Sequence, residues 1–99
     1  MNIKSGVRLL GLKPEMSLGI LVINSIYNKF GLDATITAVT DGKHSHGSLH
    51  YAGCAVDIRT NDVPSDVLNN LVAAIKNSLS SEFDVVLENT HLHVEWQPK

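Results

Sequence analysis

The chain has 99 residues, of which 43% are hydrophobic and 18% are charged, and its formal net charge at pH 7 is -2. This composition is typical of one globular domain, and the absence of a basic block argues against nucleic acid or an anionic membrane as a partner. No apolar run reaches the roughly 20 residues that a membrane span needs. The single cysteine excludes a disulfide framework.

The first 13 residues predict a loop or a short helical turn, since they contain Gly6, Gly11 and only one short apolar patch. They also lack the charged start and apolar run of a signal peptide. We therefore expect a protein that is made in the cytoplasm, and we expect it to be a monomer.

Pro14 begins the first predicted helix, because its fixed φ and missing N–H suit the first helical turn. Apolar residues recur at spacings of three and four along the next four turns, as in an amphipathic helix that packs on a core. Gly31 fits the position just after the helix end. Residues 34–40 are rich in β-branched side chains and predict a strand that ends at the turn pair Asp41-Gly42.

Residues 55–59 predict a second strand, with Asp57 and Ala55 on one face and apolar residues on the other. An aspartate in such a strand is costly to bury unless a cation or several hydrogen bonds satisfy it. A divalent metal is one such cation, and a salt bridge to Arg59 or Arg8 is the alternative.

The rest of the chain predicts a helix followed by a β-hairpin. Ser65 suits the N-cap of the helix, which we expect to end near Leu79. Residues 83–88 and 91–96 predict two strands joined by a two-residue turn. Taken together, residues 1–99 predict a single α+β domain with a small, mainly antiparallel sheet and two main helices packed on it.

The histidines indicate a metal site, because all five lie in or beside two short stretches, at positions 44, 46, 50, 91 and 93. Histidine and aspartate together bind zinc, and a catalytic zinc site keeps a fourth position for water beside three protein ligands. The spacing of His50 and Asp57 is too long for one helical face and suits a loop that runs into a strand. The third ligand must then come from another part of the chain.

His91 and His93 are candidates for the third ligand, since alternate residues of a strand point to the same side. Glu95 shares that side, and a two-residue turn brings Glu88 to it as well. The alternative interpretation is that these polar residues simply face solvent on a half-buried strand.

Two motifs resemble those of the M15 family of zinc peptidases: Ser48-x-His50-x-x-Gly53-x-Ala55-x-Asp57 and, downstream, Glu88 with His91-x-His93. That family includes D-alanyl-D-alanine carboxypeptidases and dipeptidases and the L-alanyl-D-glutamate endopeptidases of phage endolysins. The amino-terminal domain of hedgehog proteins is similar in fold and metal site. The resemblance covers residues 34–96 and implies a hedgehog-like, DD-peptidase-like fold.

The resemblance also implies a Zn²⁺-dependent peptidase that hydrolyses D-alanine-containing peptides of bacterial peptidoglycan, as a carboxypeptidase or an endopeptidase. His50, Asp57 and His93 would be the zinc ligands, because the second histidine of His-x-His usually binds the metal in that family. His91 would then face the substrate and donate to the developing oxyanion. The competing assignment makes His91 the ligand, as in members whose catalytic acid stands three residues before it.

Glu88 is the candidate general base, which would take a proton from the zinc-bound water and return it to the leaving amine. Glu95 is the alternative base, or else a partner that orients a ligand histidine. For the zinc ligand, sequence geometry alone permits either His91 or His93.

The resembled family typically binds substrate oxygens through an arginine just before the metal motif, where this chain has Thr40-Asp41-Gly42-Lys43. Lys43 would supply the charge there without the bidentate geometry of an arginine. Ser48 either hydrogen-bonds near the site or orders its loop. His44 and His46 either line the substrate groove or stay exposed.

A peptidoglycan enzyme without a signal peptide needs another route out of the cell. The resemblance therefore implies a phage-derived lysin that acts on the cell wall after release, or a component of a phage particle. The rival interpretation is a non-catalytic zinc-binding domain of the same fold that acts in cell-wall or protein binding, since a zinc site does not guarantee turnover.

Overall fold

The structure is a computed structural model that describes residues 1–9, 11–40 and 54–97. Two helices and five strands occur in the described residues, in the following order: β1 (Asn2–Ile3), α1 (Pro14–Lys29), β2 (Thr35–Thr40), β3 (Ala55–Arg59), α2 (Ser65–Ser78), β4 (Phe83–Leu87) and β5 (His91–Trp96). The predicted small α+β fold is confirmed.

The five strands form one sheet with the order β1-β2-β3-β5-β4. Three of the four pairings are antiparallel, while β1 pairs with β2 in parallel. The N-terminal segment was predicted as a loop or helical turn, and this is wrong for β1. Asn2 N–H donates to Ala34 O at 2.8 Å and Lys4 N–H donates to Ile36 O at 2.9 Å. A strand of two residues is too short to show the alternation by which strands are recognised.

The hairpin of β4 and β5 has the predicted two-residue turn. Leu87 pairs with Leu92, and Glu88 N–H donates to His91 O at 2.9 Å. This register places Glu88 directly across from His91, as the sequence predicts.

The hydrophobic core lies between the two helices and one face of the sheet. Burying each large apolar side chain there stabilises the fold by about 1.5–3 kcal/mol. The fully buried members with the largest side chains include Met16, Ile23, Tyr27, Ile36, Val56, Ile58, Leu71, Ile75, Leu92 and Val94. The apolar side of β3 therefore faces the helices, as predicted, and the Leu92 side of β5 faces them as well.

The helix ends agree with the sequence at α1 and differ at α2. Gly31 follows α1 with φ 76°, Leu32 N–H donates to Tyr27 O at 2.9 Å, and Gly31 N–H donates to Asn28 O at 3.0 Å, which together form a Schellman motif. At α2 the predicted N-cap is wrong, because Pro64 occupies the N-cap position and no side chain caps the helix. Ser65 is already the first helical residue.

The second face of the sheet carries the polar residues of the two central strands. Asp57 of β3 pairs with His93 of β5, and Arg59 pairs with His91. Side chains alternate between the faces of a strand, so these residues project away from the core. Neither helix in the described part of the chain is long and apolar enough to cross a membrane.

Candidate metal centre

Asp57 and His93 come together on this second face of the sheet. Asp57 Oδ1 lies 2.7 Å from His93 Nδ1, within hydrogen-bond distance. Two ligand atoms of one tetrahedral zinc ion, each about 2.0–2.2 Å from the metal, lie roughly 3.3–3.6 Å apart. The carboxylate and the imidazole have the chemistry of zinc ligands, while their 2.7 Å separation is that of a hydrogen bond, so the two atoms would have to move apart by roughly 0.6–0.9 Å to share an ion.

His91 lies beside this pair and directs its Nε2 atom towards two carboxylates. The atom is 3.7 Å from Asp57 Oδ2 and 3.4 Å from Glu88 Oε1. Thr90 Oγ1 lies 3.2 Å from Nδ1 on the other edge of the ring and orients it. The Glu88 side chain is 41% exposed and the His91 side chain is 26% exposed. Both groups are therefore accessible to water or to a substrate.

Glu95 contacts His93 from the opposite side of the ring. Glu95 Oε1 lies 3.1 Å from His93 Nε2, and Gln97 Nε2 donates a hydrogen bond to Glu95 Oε2. Glu95 and His93 are both buried. His93 is thus held between two carboxylates, with Nδ1 facing Asp57 and Nε2 facing Glu95.

The two carboxylates change the acidity of His93. Burial alone lowers the pKa of His93, but the hydrogen bonds to Glu95 and Asp57 and the charges of both carboxylates raise it by more. The pKa of His93 therefore lies above its ordinary value. In the metal-free protein the protonated ring can donate to both carboxylates at once.

The two candidate bases have different surroundings. Glu95 is buried, and each of its oxygens has a hydrogen-bond partner. Glu88 is half-exposed and lies beside His91 on the open part of the face. The arrangement leaves Glu88 free to exchange protons with a molecule at the site, while Glu95 is suited to orienting His93.

The comparison with protein families agrees with this fold. The family model of the Hedgehog amino-terminal signalling domain matches residues 10–96. The chain belongs to this family. No curated protein matches the chain. The hedgehog-like relationship predicted from the sequence is confirmed, and the relationship to zinc peptidases stays a prediction.

Several predicted site residues of this Hedgehog-type domain lie outside the described residues. These are Lys43, His44, His46, Ser48 and His50. Within the part of the chain that the structure describes, no group of three His, Cys, Asp or Glu side chains is arranged to hold a metal ion. His50, the third ligand that the motif resemblance implies, is one of the residues outside that part.

The salt bridge considered for Asp57 is not formed. Among the described residues, neither Arg59 nor Arg8 makes an ion pair with Asp57, whose carboxylate instead faces His93 and His91.

Tyr27 of α1 connects the core to the same strand, because its hydroxyl donates to Arg59 O at 3.0 Å.

Sequence reasoning missed two supporting residues of this candidate site. Thr90 looked only like a turn residue, and Gln97 follows the last strand. Gln97 contacts Glu95, two residues earlier, so the alternation of β5 was the signal that could have identified it. Thr90 contacts the adjacent His91, so the geometry of the turn was the signal that could have identified it.

Proposed function

We propose that this Hedgehog-type domain is a Zn²⁺-dependent peptidase that hydrolyses D-alanine-containing peptides of bacterial peptidoglycan. The observation that carries the proposal is the Asp57–His93 pair, 2.7 Å apart, beside the accessible side chains of Glu88 and His91. The substrate class comes from the likeness of the sequence motifs to those of peptidoglycan peptidases. The proposed place of action is the cell wall, reached after release from the cell or in a phage particle.

Asp57 and His93, with His50 as the third ligand, would hold the zinc ion. Zinc bound at such a site supplies a water of lowered pKa and polarises the scissile carbonyl. His93 is preferred to His91 as a ligand because it is buried, closer to Asp57 and oriented by Glu95. The more exposed His91 is left to contact the substrate.

Glu88 would be the general base. A half-exposed carboxylate beside the ligand pair can take a proton from the attacking water and return it to the leaving amine, a role typically worth about 10²–10⁴-fold in rate. His91, with Nε2 directed over the site, would donate a hydrogen bond to the oxyanion that forms at the scissile carbonyl.

Purified peptidoglycan tests the proposal. Zinc-loaded protein should release new amino groups from the peptide stems, and a chelator should stop the release until zinc is restored. Glu88→Gln should lower the rate by at least about 10²-fold while zinc still binds. Glu15→Gln is the matched control, because Glu15 is an exposed carboxylate in the first turn of α1. Zinc-loaded protein that is inert on every peptidoglycan peptide would refute the proposal.

The second candidate is a non-catalytic zinc-binding domain that acts in cell-wall or protein binding. The family description favours it, because it names a signalling domain rather than an enzyme. In that case zinc would bind stoichiometrically and stabilise the fold, and Glu88→Gln would change neither property. The peptidoglycan assay above distinguishes the two candidates.

A further inference from the structure

A polar cavity of about 340 Å³ opens beside the candidate metal centre. The described residues that line it are Lys4, Thr37, Arg59, Asn61, Thr90 and His91. His91 belongs to both sites, because its Nε2 atom is also 3.7 Å from Asp57 Oδ2. The cavity therefore adjoins the candidate metal centre.

Arg59 and Lys4 give this cavity a positive charge. Arg59 pairs directly with His91 and lies two residues beyond Asp57, so its side chain projects from the same face of the sheet. Lys4 follows β1, where its backbone N–H is bound to Ile36 O. Within the described residues neither cation forms an ion pair, and no carboxylate lines the cavity.

We propose that this cavity binds a carboxylate of the substrate. A guanidinium group offers two parallel N–H donors that match the two oxygens of a carboxylate, and the Asn61 amide adds another donor. Lys4 adds a second positive charge at the cavity wall. Thr37 is partly committed, since its hydroxyl donates to Asp57 O at 3.4 Å. Among its described lining residues, the cavity thus offers cationic donors and no carboxylate.

The position of the cavity indicates which carboxylate it takes. One residue of extended peptide spans at most about 3.6 Å, and the cavity adjoins the Asp57–His93 pair, because His91 lines the cavity and its Nε2 atom lies 3.7 Å from Asp57 Oδ2. In the proposed carboxypeptidase reaction the chain terminus belongs to the residue that follows the scissile bond, so we assign the carboxylate to that residue. This rests on the proposed peptidase function and selects a peptide whose last residue is removed. An acidic side chain on that residue carries the same chemistry.

Binding of matched peptides tests the cavity without relying on turnover. Three probes are titrated by calorimetry into zinc-loaded Glu88→Gln protein. They are N-acetyl-D-alanyl-D-alanine, its C-terminal amide, and N-acetyl-D-alanyl-D-glutamic acid amidated at its C-terminus, in which only the side-chain carboxylate is free. The free acid should bind roughly 10- to 100-fold more tightly than its amide. The glutamic acid amide identifies the source: binding like the acid indicates a side-chain carboxylate, and binding like the amide indicates a chain terminus.

Arg59→Gln should remove most of the preference for the acid, and Lys4→Gln should reduce it, while zinc affinity stays unchanged. Arg8→Gln is the control, since Arg8 does not line the cavity. Equal binding of acid and amide, or a preference that survives both cavity substitutions, would overturn the inference. A different result would refute the peptidase proposal alone. In that case wild-type protein would cleave none of the peptides, although the Arg59-dependent preference for the acid remained.

Discussion

The Nε2 atom of His93 lies 3.1 Å from Oε1 of Glu95, two residues further along β5. A carboxylate in this position sets the orientation of the imidazole and keeps Nδ1 directed at Asp57. Replacing the carboxylate with an amide should therefore weaken metal binding. We expect Glu95→Gln to lower zinc affinity by about 10–100-fold, measured by competition with a chromogenic chelator.

Asp84→Asn is the control for this substitution. Asp84 pairs with Glu95 across β4 and β5, and it is exposed. Its removal should leave zinc affinity unchanged. The visible absorption of bound cobalt(II) gives a second measurement, since a misoriented His93 alters the ligand geometry. Wild-type affinity in Glu95→Gln would show that Glu95 does not orient the ligand.

The raised pKa of His93 predicts how the stability of the metal-free protein changes with pH. A group whose pKa is higher in the folded state stabilises the fold most below its unfolded pKa, about 6.5 for histidine. That contribution is lost as pH rises through the folded-state value. We expect the free energy of unfolding of chelator-treated protein to fall as pH increases from about 6.5 through that value. Urea denaturation over a pH series measures it.

His93→Gln should flatten this pH dependence, because the titrating ring is gone. Zinc should act in the opposite direction to the proton, since binding requires a deprotonated nitrogen, so the stabilisation by zinc should grow as pH rises. A metal-free protein whose stability increases with pH over the same interval would contradict the assignment of His93 as the responsible group.

Local sequence patterns were sufficient to predict most helices and strands and the part of the candidate site that the β4–β5 hairpin carries. The alternation of His91, His93 and Glu95 indicated a shared side, and the two-residue turn then placed Glu88 across from His91. These relationships join residues that are close in sequence, and a period of two determines them. The sequence alone was therefore enough to predict them.

Relationships between distant parts of the chain could not be derived in this way. The direct pairing of Asp57 with His93 depends on the adjacency of β3 and β5, and strand order has no local signal. Lys4 reaches the polar cavity only because a two-residue strand pairs with β2. The resemblance of motifs brought Asp57 and His93 together as expected ligands, but it gave no indication of Lys4 or Arg59.

The hydroxyl of Tyr27 supports the strand that carries Asp57. It donates to Arg59 O at 3.0 Å, and burial, followed by the charge of Asp62, raises the pKa of Tyr27 so that it stays protonated. Tyr27→Phe leaves that carbonyl without its partner. We expect a loss of about 1–3 kcal/mol in the free energy of unfolding, measured by urea denaturation.

Leu18→Ala on the same helix is the control for Tyr27→Phe. Leu18 is 64% exposed, so its truncation should change stability by no more than about 0.5 kcal/mol. If Tyr27→Phe is as stable as the wild type, solvent must satisfy the Arg59 carbonyl in the variant.

Gly31 ends α1 in a conformation that L-residues avoid. Its φ is 76°, and no heavy atom of the described residues lies within 4 Å of a Cβ built there. The cost of a side chain at this position is therefore a backbone effect rather than a clash. We expect Gly31→Ala to destabilise the fold by about 1–2 kcal/mol, and Gly31→Asn by less, because asparagine tolerates the left-handed region. Thermal unfolding of both variants measures the difference. Equal stability of Gly31→Ala and the wild type would mean that the helix end rearranges, with loss of the Leu32 N–H to Tyr27 O hydrogen bond.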